Sequence, residues 1–207
     1  MAHLKTITVP RTWPIERKTT KFTVVPDPSK NLEFSLSLSV ILRDILKICK
    51  TLREVKSILR DKEIMVDGKR ITNYKALVGF MDILTIKITN ENYRMLLNKK
   101  GKLQLMKITP EESEFKVSKI MGKTSLKKGK IQLNFHDGKN LIVAKDTYSV
   151  GDSLQINVLS KEIMAHIKLE KNNYGFLIGG KHTGESGIIS EHSGNIVYLE
   201  TKNGKME

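Results

Sequence analysis

The chain has 207 residues, with 36 Lys and Arg against 22 Asp and Glu, a formal net charge of +14 and a hydrophobic content of 39%. That length holds one or two ordinary domains or three small ones, and the charge favours a polyanionic partner, nucleic acid ahead of an anionic membrane surface. No apolar run approaches the ~18–20 residues of a membrane span, and the N-terminus has no continuous apolar h-region, so neither a span nor a secretion signal is expected. A single cysteine, Cys49, cannot form an internal disulfide, which suits a reducing cytosol.

Residues 1–30 contain four of the five prolines, at positions 10, 14, 26 and 28, and carry six basic against two acidic residues. Proline removes amide donors and disfavours helix before it, so the segment reads as an extended arm. Lys5, Arg11, Arg17, Lys18 and Lys21 are threaded through it, with Trp13 among them. A basic arm with an aromatic can enter folded RNA, the ring stacking on a base. The alternative is a strap whose Trp13 covers a core edge.

In "LSVILRDILKICK", Val40, Ile41, Ile45 and Ile48 recur at helical spacing, with Arg43, Lys47 and Lys50 on another side. Thr51 followed by Glu54 forms a capping-box signature for a second helix, "LREVKSILR". Its residues Leu52, Val55, Ile58 and Leu59 should face inward, and Arg53, Lys56 and Arg60 outward. Asp67-Gly68 in "EIMVDGKRI" predicts a type I′ hairpin, with Lys69 and Arg70 just past the turn. "VGFMDILTI" reads as one closing strand.

Residues 91–170 look β-rich. Thr109, Pro110 and Glu112 in "ITPEE" predict a capped helix start, and Glu111, Glu112 and Glu114 complement its dipole better than they suggest acid/base chemistry. Hairpins or turns are expected at Asp137-Gly138 and Gly151-Asp152. The run "KTSLKKGK" places Lys123, Lys127, Lys128 and Lys130 in a loop, as a solvated loop or a phosphate contact. The last segment reads as Gly-punctuated strands, "GFLIGG", "SGIISEHSG" and "NIVYLET", suited to a small barrel.

The charge is spread over the first three regions: four more basic than acidic residues in 1–30, four in 31–90 and seven in 91–175. Residues 176–207 carry three basic and four acidic. This implies an extended footprint, anchored away from the C-terminal segment.

"GFLIGGKHTG" places Gly175, Gly180 and Lys181 at P-loop spacing, but His182 stands where a magnesium-binding hydroxyl is needed. Phe176-Leu177-Ile178 reads as strand, and Gly184 and Gly187 oppose a following helix. Nucleotide hydrolysis is not expected, and the glycines instead suit a barrel turn with positive φ. His3, His136, His166, His182 and His192 show no zinc spacing, Cys49 reads as a packing residue, and no G-x-S-x-G occurs. Neither a catalytic site, a metal nor a cofactor is expected.

The helix pair followed by "VDGKRI" resembles the small RNA-binding module of the bacterial-type fourth small-subunit ribosomal protein. "GGKHTGESGII" resembles a KOW motif, with Gly180, Lys181, Gly184 and Gly187 in register. The order of the "HLK…P…W.I.RK" arm, "LRDIL", "VDGKRI", "VGFMD", "ITPEE" and the KOW motif resembles the S-four-e family of archaeal and eukaryotic small-subunit ribosomal proteins, in its archaeal form. The resemblance spans nearly the whole chain.

The resemblance implies a mostly β, α+β protein: an extended basic arm (1–37), an RNA-binding module of helix-turn-helix plus sheet (38–90), a central β domain (91–170) and an SH3-like KOW barrel (171–207). The family usually continues past this motif with another strand, so the barrel is expected to be incomplete or closed differently. Small-subunit rRNA would lie against Lys5, Arg11, Trp13, Arg17 and Lys18, and against Arg43, Lys47, Arg53, Lys56, Lys69 and Arg70. Lys21, Lys50, Arg60, Lys123, Lys127, Lys128, Lys181 and His182 complete the candidates. Expected partners are rRNA and neighbouring ribosomal proteins in the cytoplasmic ribosome, with no membrane and no homo-oligomer. The alternatives are a free RNA-binding assembly or translation factor and an RNA-modifying enzyme carrying the same module.

Overall fold

The computed structural model describes residues 3–61, 64–193, 196–201 and 204–206. Glu63, Gly194 and Asn195, at the ends of expected strands, and the side chain of Lys128 lie outside the described residues. The protein is mostly β with few helical residues, and divides into two compact units, residues 1–114 and 115–207.

In the first unit, β1 (Leu4–Lys5) pairs with β2 (Phe22–Thr23), and β3 (Ser35–Ser37) leads into a short helix, α1 (Leu38–Val40), that continues as a π-helical turn, Ile41–Ile45. The helix expected through residue 50 stops early. Leu46 N donates to Ile41 O across five residues, Ile48 and Cys49 amides both turn back to Leu42 O, and Lys47 takes a left-handed φ of 54°. This turn buries Leu42 and Cys49 and leaves Ile48 exposed, reversing the expected inward face at that end. The second helix, α2 (Leu52–Arg60), forms as expected: Thr51 Oγ1 accepts from Glu54 N at 3.3 Å, and Glu54 Oε2 accepts from Lys50 N at 2.8 Å. Val55 and Leu59 are buried, with Leu52 and Ile58 half-buried beside them.

Strands β4 (Ile64–Val66) and β5 (Lys69–Arg70) meet at Asp67-Gly68, where both residues have positive φ, 47° and 70°. That is the type I′ geometry, whose twist matches the flanking strands. Asp67 adds a lock: its Oδ1 accepts from Ile83 N at 3.0 Å. The single strand expected from "VGFMDILTI" is two. β6 (Leu77–Gly79) pairs with β3, then Met81 at φ 64° reverses the chain into β7 (Ile83–Ile86), which pairs with β4 in a different sheet. Buried Asp82 holds this break, accepting from Gly79 N at 2.6 Å and ion-pairing with Lys30.

Strands β8 (Glu91–Leu97) and β9 (Leu103–Ile108) extend the β7 sheet, giving the order β5-β4-β7-β8-β9. The boundary expected at residue 90 therefore falls inside one continuous sheet, and the compact unit ends at Glu114. The Thr109 capping box is present, with Glu112 N on Thr109 Oγ1 at 3.3 Å and Thr109 N on Glu112 Oε2 at 3.2 Å. It caps only a 3₁₀ turn, Glu112–Glu114, before the chain enters the next strand.

The second unit begins with β10 (Phe115–Ser125), which pairs on one edge with β11 (Ile131–Phe135) and on the other with β13 (Ser153–Asn157). With β12 (Asn140–Val143) and β14 (Ile163–Ile167) the order is β12-β11-β10-β13-β14, wrapped on Ile120, Leu133, Phe135 and Leu154. The turns at Asp137-Gly138 and Gly151-Asp152 lie where the sequence placed them. A separate antiparallel sheet follows: β15 (Tyr174–Phe176), β16 (Ser186–Ser193), β17 (Ile196–Thr201) and β18 (Gly204–Met206), in chain order.

Candidate nucleic-acid interface

The N-terminal segment is a tied loop rather than a free arm. Thr6 Oγ1 donates to the carbonyls of Thr20 and Arg17 at 2.5 and 3.0 Å, and Arg17 Nη2 and Nη1 donate to Pro10 O and Ile7 O at 2.9 and 3.3 Å. Arg17 is therefore engaged in closing the loop. Trp13 is 1% exposed, with its indole Nε1 donating to Leu32 O at 3.0 Å. A ring so enclosed has no face for a base, which corrects the expectation that Trp13 touches RNA and favours the core-edge alternative. Lys5, Arg11, Lys18 and Lys21 remain exposed on the loop.

Facing this loop is the turn after α1. A cleft of about 790 Å³ has Pro14, Ile15 and Phe22 on the loop side and Arg43, Lys47 and Lys50 on the other. Lys47 and Lys50 are exposed. Arg43 instead makes a two-pronged pair with its neighbour Asp44, at 2.8 and 2.9 Å, which raises its already high pKa and offsets its charge locally. Cys49 lines the same cleft, and burial pushes its thiol pKa up, away from reactivity.

On α2, Arg53, Lys56 and Arg60 are all exposed, as expected from the burial of Val55 and Leu59 opposite them. Lys56 Nζ sits 4.8 Å from the centre of the Tyr74 ring. Arg70 Nη2 donates to Arg60 O at 3.2 Å, tying the hairpin to the C-terminal end of α2, where a cation also complements the helix dipole. The fold thus gathers Arg60, Lys69 and Arg70 into one exposed basic region.

The second unit is less generous. Lys123 is half-buried in β10 and ion-paired with Asp146, so it is not the loop residue expected. Lys127 is exposed in a 3₁₀ turn. Lys181 is exposed, and His182 Nδ1 lies 3.7 Å from Glu185 Oε2. Gly180 and Gly184 take positive φ, 87° and 82°, and the chain returns as strand β16. Among the described residues no helix follows Lys181, and strand β16 takes the place where a P-loop would open the helix that seats phosphate.

Sequence reasoning passed over two features. Lys99, Lys100 and Lys102 are exposed in the β8–β9 turn, which Asn98 Oδ1 holds by accepting from the amides of Lys100 and Lys102, both at 2.9 Å. The signal "NKKGK" was visible as a basic turn. The second is Phe22, whose exposed ring lies between lysines in the β1–β2 ribbon.

The profile described as "Ribosomal family S4e" matches residues 89–163. Small ribosomal subunit protein eS4 of Methanothermobacter thermautotrophicus is 41% identical over 210 residues, covering 98% of this chain and 86% of the relative. The chain belongs to the ribosomal S4e family. The protein of the same name from Methanocaldococcus jannaschii is 38% identical over 205 residues, covering 95% and 83%. The crystal structure of the 30S ribosomal protein S4e from Thermoplasma acidophilum superposes with a TM-score of 0.70 at 34% identity, covering 82% of this S4e-family chain and 88% of that one.

Proposed function

We infer that this S4e-family chain is a structural constituent of the small ribosomal subunit in the cytoplasm and binds rRNA. The observation that carries this is its similarity, over nearly its whole length, to archaeal proteins named small ribosomal subunit protein eS4. The family is structural, so the chain is no enzyme and its mechanism is binding. Exposed lysines and arginines neutralise phosphates, and the rigid backbone fits folded RNA by shape.

The proposed contacts are Lys5, Arg11, Lys18 and Lys21 on the N-terminal loop and Lys47 and Lys50 beside it. Arg53, Lys56, Arg60, Lys69 and Arg70 form the second group, on α2 and the hairpin. Arg17, Arg43, Lys123, Lys127, Lys181 and His182 are secondary contacts. The first unit is read as an N-terminal strap plus an S-four-like RNA-binding module, the second as a central β domain followed by a KOW-type barrel. Exposed Leu159, Met164, Tyr174 and Ile188 in the second unit suit neighbouring ribosomal proteins. Among the described residues no helix is long and apolar enough to cross a membrane.

The test is sedimentation of small subunits through high salt. The chain should remain at one copy per subunit. Loss from the subunits, leaving less than one copy on each, would instead favour a free assembly or translation factor.

A further inference from the structure

Phe22 is 47% exposed, although its ring is large and apolar. It is held in place by strand pairing: Phe22 stands opposite Lys5 in the β1–β2 ribbon, so both side chains leave the same face. Lys21 Nζ lies 5.5 Å from the ring centre, and the His3 ring lies 5.5 Å from it at a tilt of 45°. The ring also lines the cleft whose far wall presents Lys47 and Lys50. An aromatic ring fixed by backbone, about half exposed and flanked by Lys5 and Lys21, has the two components of a single-strand binding site: a stacking surface and phosphate neutralisation. The cleft volume, about 790 Å³, lies in the ~300–1,000 Å³ range of sites that take a small ligand. Glu16 and Asp44 also line it, but Asp44 is occupied by Arg43, so phosphate would approach from the Lys47–Lys50 side.

We propose that this cleft accepts an unpaired nucleotide of RNA, its base stacked on Phe22 and its phosphates between the Lys5–Lys21 and Lys47–Lys50 pairs. This rests on the rRNA-binding reading and deepens it: the base-stacking aromatic of the N-terminal segment is Phe22, not Trp13. Inside a duplex both faces of each base are taken by stacking, so the site favours unpaired over paired RNA.

The experiment measures fluorescence anisotropy of a labelled short single-stranded RNA of mixed sequence, and of a fully paired duplex of the same length, with wild type, Phe22→Leu and Phe22→Trp. Retention of small-subunit rRNA by each protein is measured in parallel. Phe22→Leu should weaken the single strand by roughly tenfold, leave the duplex unchanged, and be rescued by Phe22→Trp. Wild-type affinity of Phe22→Leu for the single strand, or an equal loss on both RNAs, would overturn the cleft assignment. Wild-type protein that fails to retain rRNA at all would instead overturn the reading on which it rests.

Discussion

Lys116 and Asp137 form an ion pair at 2.8 Å with side chains only 5% and 3% exposed. Burial raises the Asp137 carboxyl pKa, but the charge and hydrogen bond of Lys116 oppose it and prevail, holding the carboxyl below its usual value. Breaking such a pair takes a charged, hydrogen-bonded partner from a buried side chain, so Asp137→Ala should cost about 1–3 kcal/mol. Lys116→Met with Asp137→Leu should cost less than the sum of the two single changes, because residues in contact couple. Because the folded pKa is depressed, the contribution is present above the unfolded carboxyl value of ~3.9 and is lost as pH falls through the folded value. Asp152 acts in the same direction. Its burial is outweighed by a 2.7 Å contact with His166 and the amides of Leu169 and Ser149. Acid titration followed by circular dichroism should show stability falling below about pH 4, with a shallower dependence in Asp137→Asn.

Trp13 is predicted to matter for stability and not for RNA. Trp13→Phe keeps most of the apolar burial but leaves Leu32 O without its 3.0 Å donor. Losing a hydrogen bond of this half-buried kind costs about 0.5–1.5 kcal/mol. Thermal unfolding should show that loss, while rRNA affinity of the folded variant stays at the wild-type value. A selective fall in affinity at unchanged stability would reverse the assignment.

The difference between Trp13 and Phe22 shows what was legible. Composition identified a basic segment with an aromatic, but burial of Trp13 depends on Leu32, nineteen residues away, and no local pattern encodes that contact. Local chemistry was read well where it is self-contained: the Thr51–Glu54 cap, the Asp67-Gly68 turn and the Thr109–Glu112 cap are all present. It was read badly where tertiary demands compete with spacing. Ile45 and Ile48 fit a helix by period, yet the chain turns at Lys47 to bury Cys49. Likewise "VGFMDILTI" is continuous in hydropathy, but Asp82 is buried against Lys30 and splits it between two sheets. Of the site, the exposed cations of α2 followed from helical periodicity, whereas the neutralisation of Arg43 and Lys123 by Asp44 and Asp146 depends on side-chain geometry that no spacing encodes.

Gly175 is predicted to be intolerant of a side chain. A Cβ there would lie 2.9 Å from Leu199 Cδ2 and 3.6 Å from Ile189 Cγ1, both on buried side chains of the C-terminal sheet. Overpacking of this kind costs typically about 1–3 kcal/mol. Gly175→Ala should lower thermal stability by that order, and Leu199→Val, which removes the clashing atom, should recover part of it in the double variant. Gly179, with open space around it, should accept alanine far more readily.

The basic face of α2 gives the most direct test of RNA binding. Arg53 and Lys56 are exposed, and the helix is held by its Thr51–Glu54 cap and by buried Val55 and Leu59. Reversing both to Glu should therefore leave the far-ultraviolet spectrum unchanged. It should weaken rRNA binding across sequences, because phosphates carry no sequence information. The slope of log affinity against log salt should flatten by roughly one for each lost phosphate contact. Lys123→Glu should do less, since Lys123 already spends its charge on Asp146. A salt slope unchanged in the Arg53–Lys56 double variant would remove α2 from the interface and shift the burden to the N-terminal loop and the Lys99–Lys102 turn.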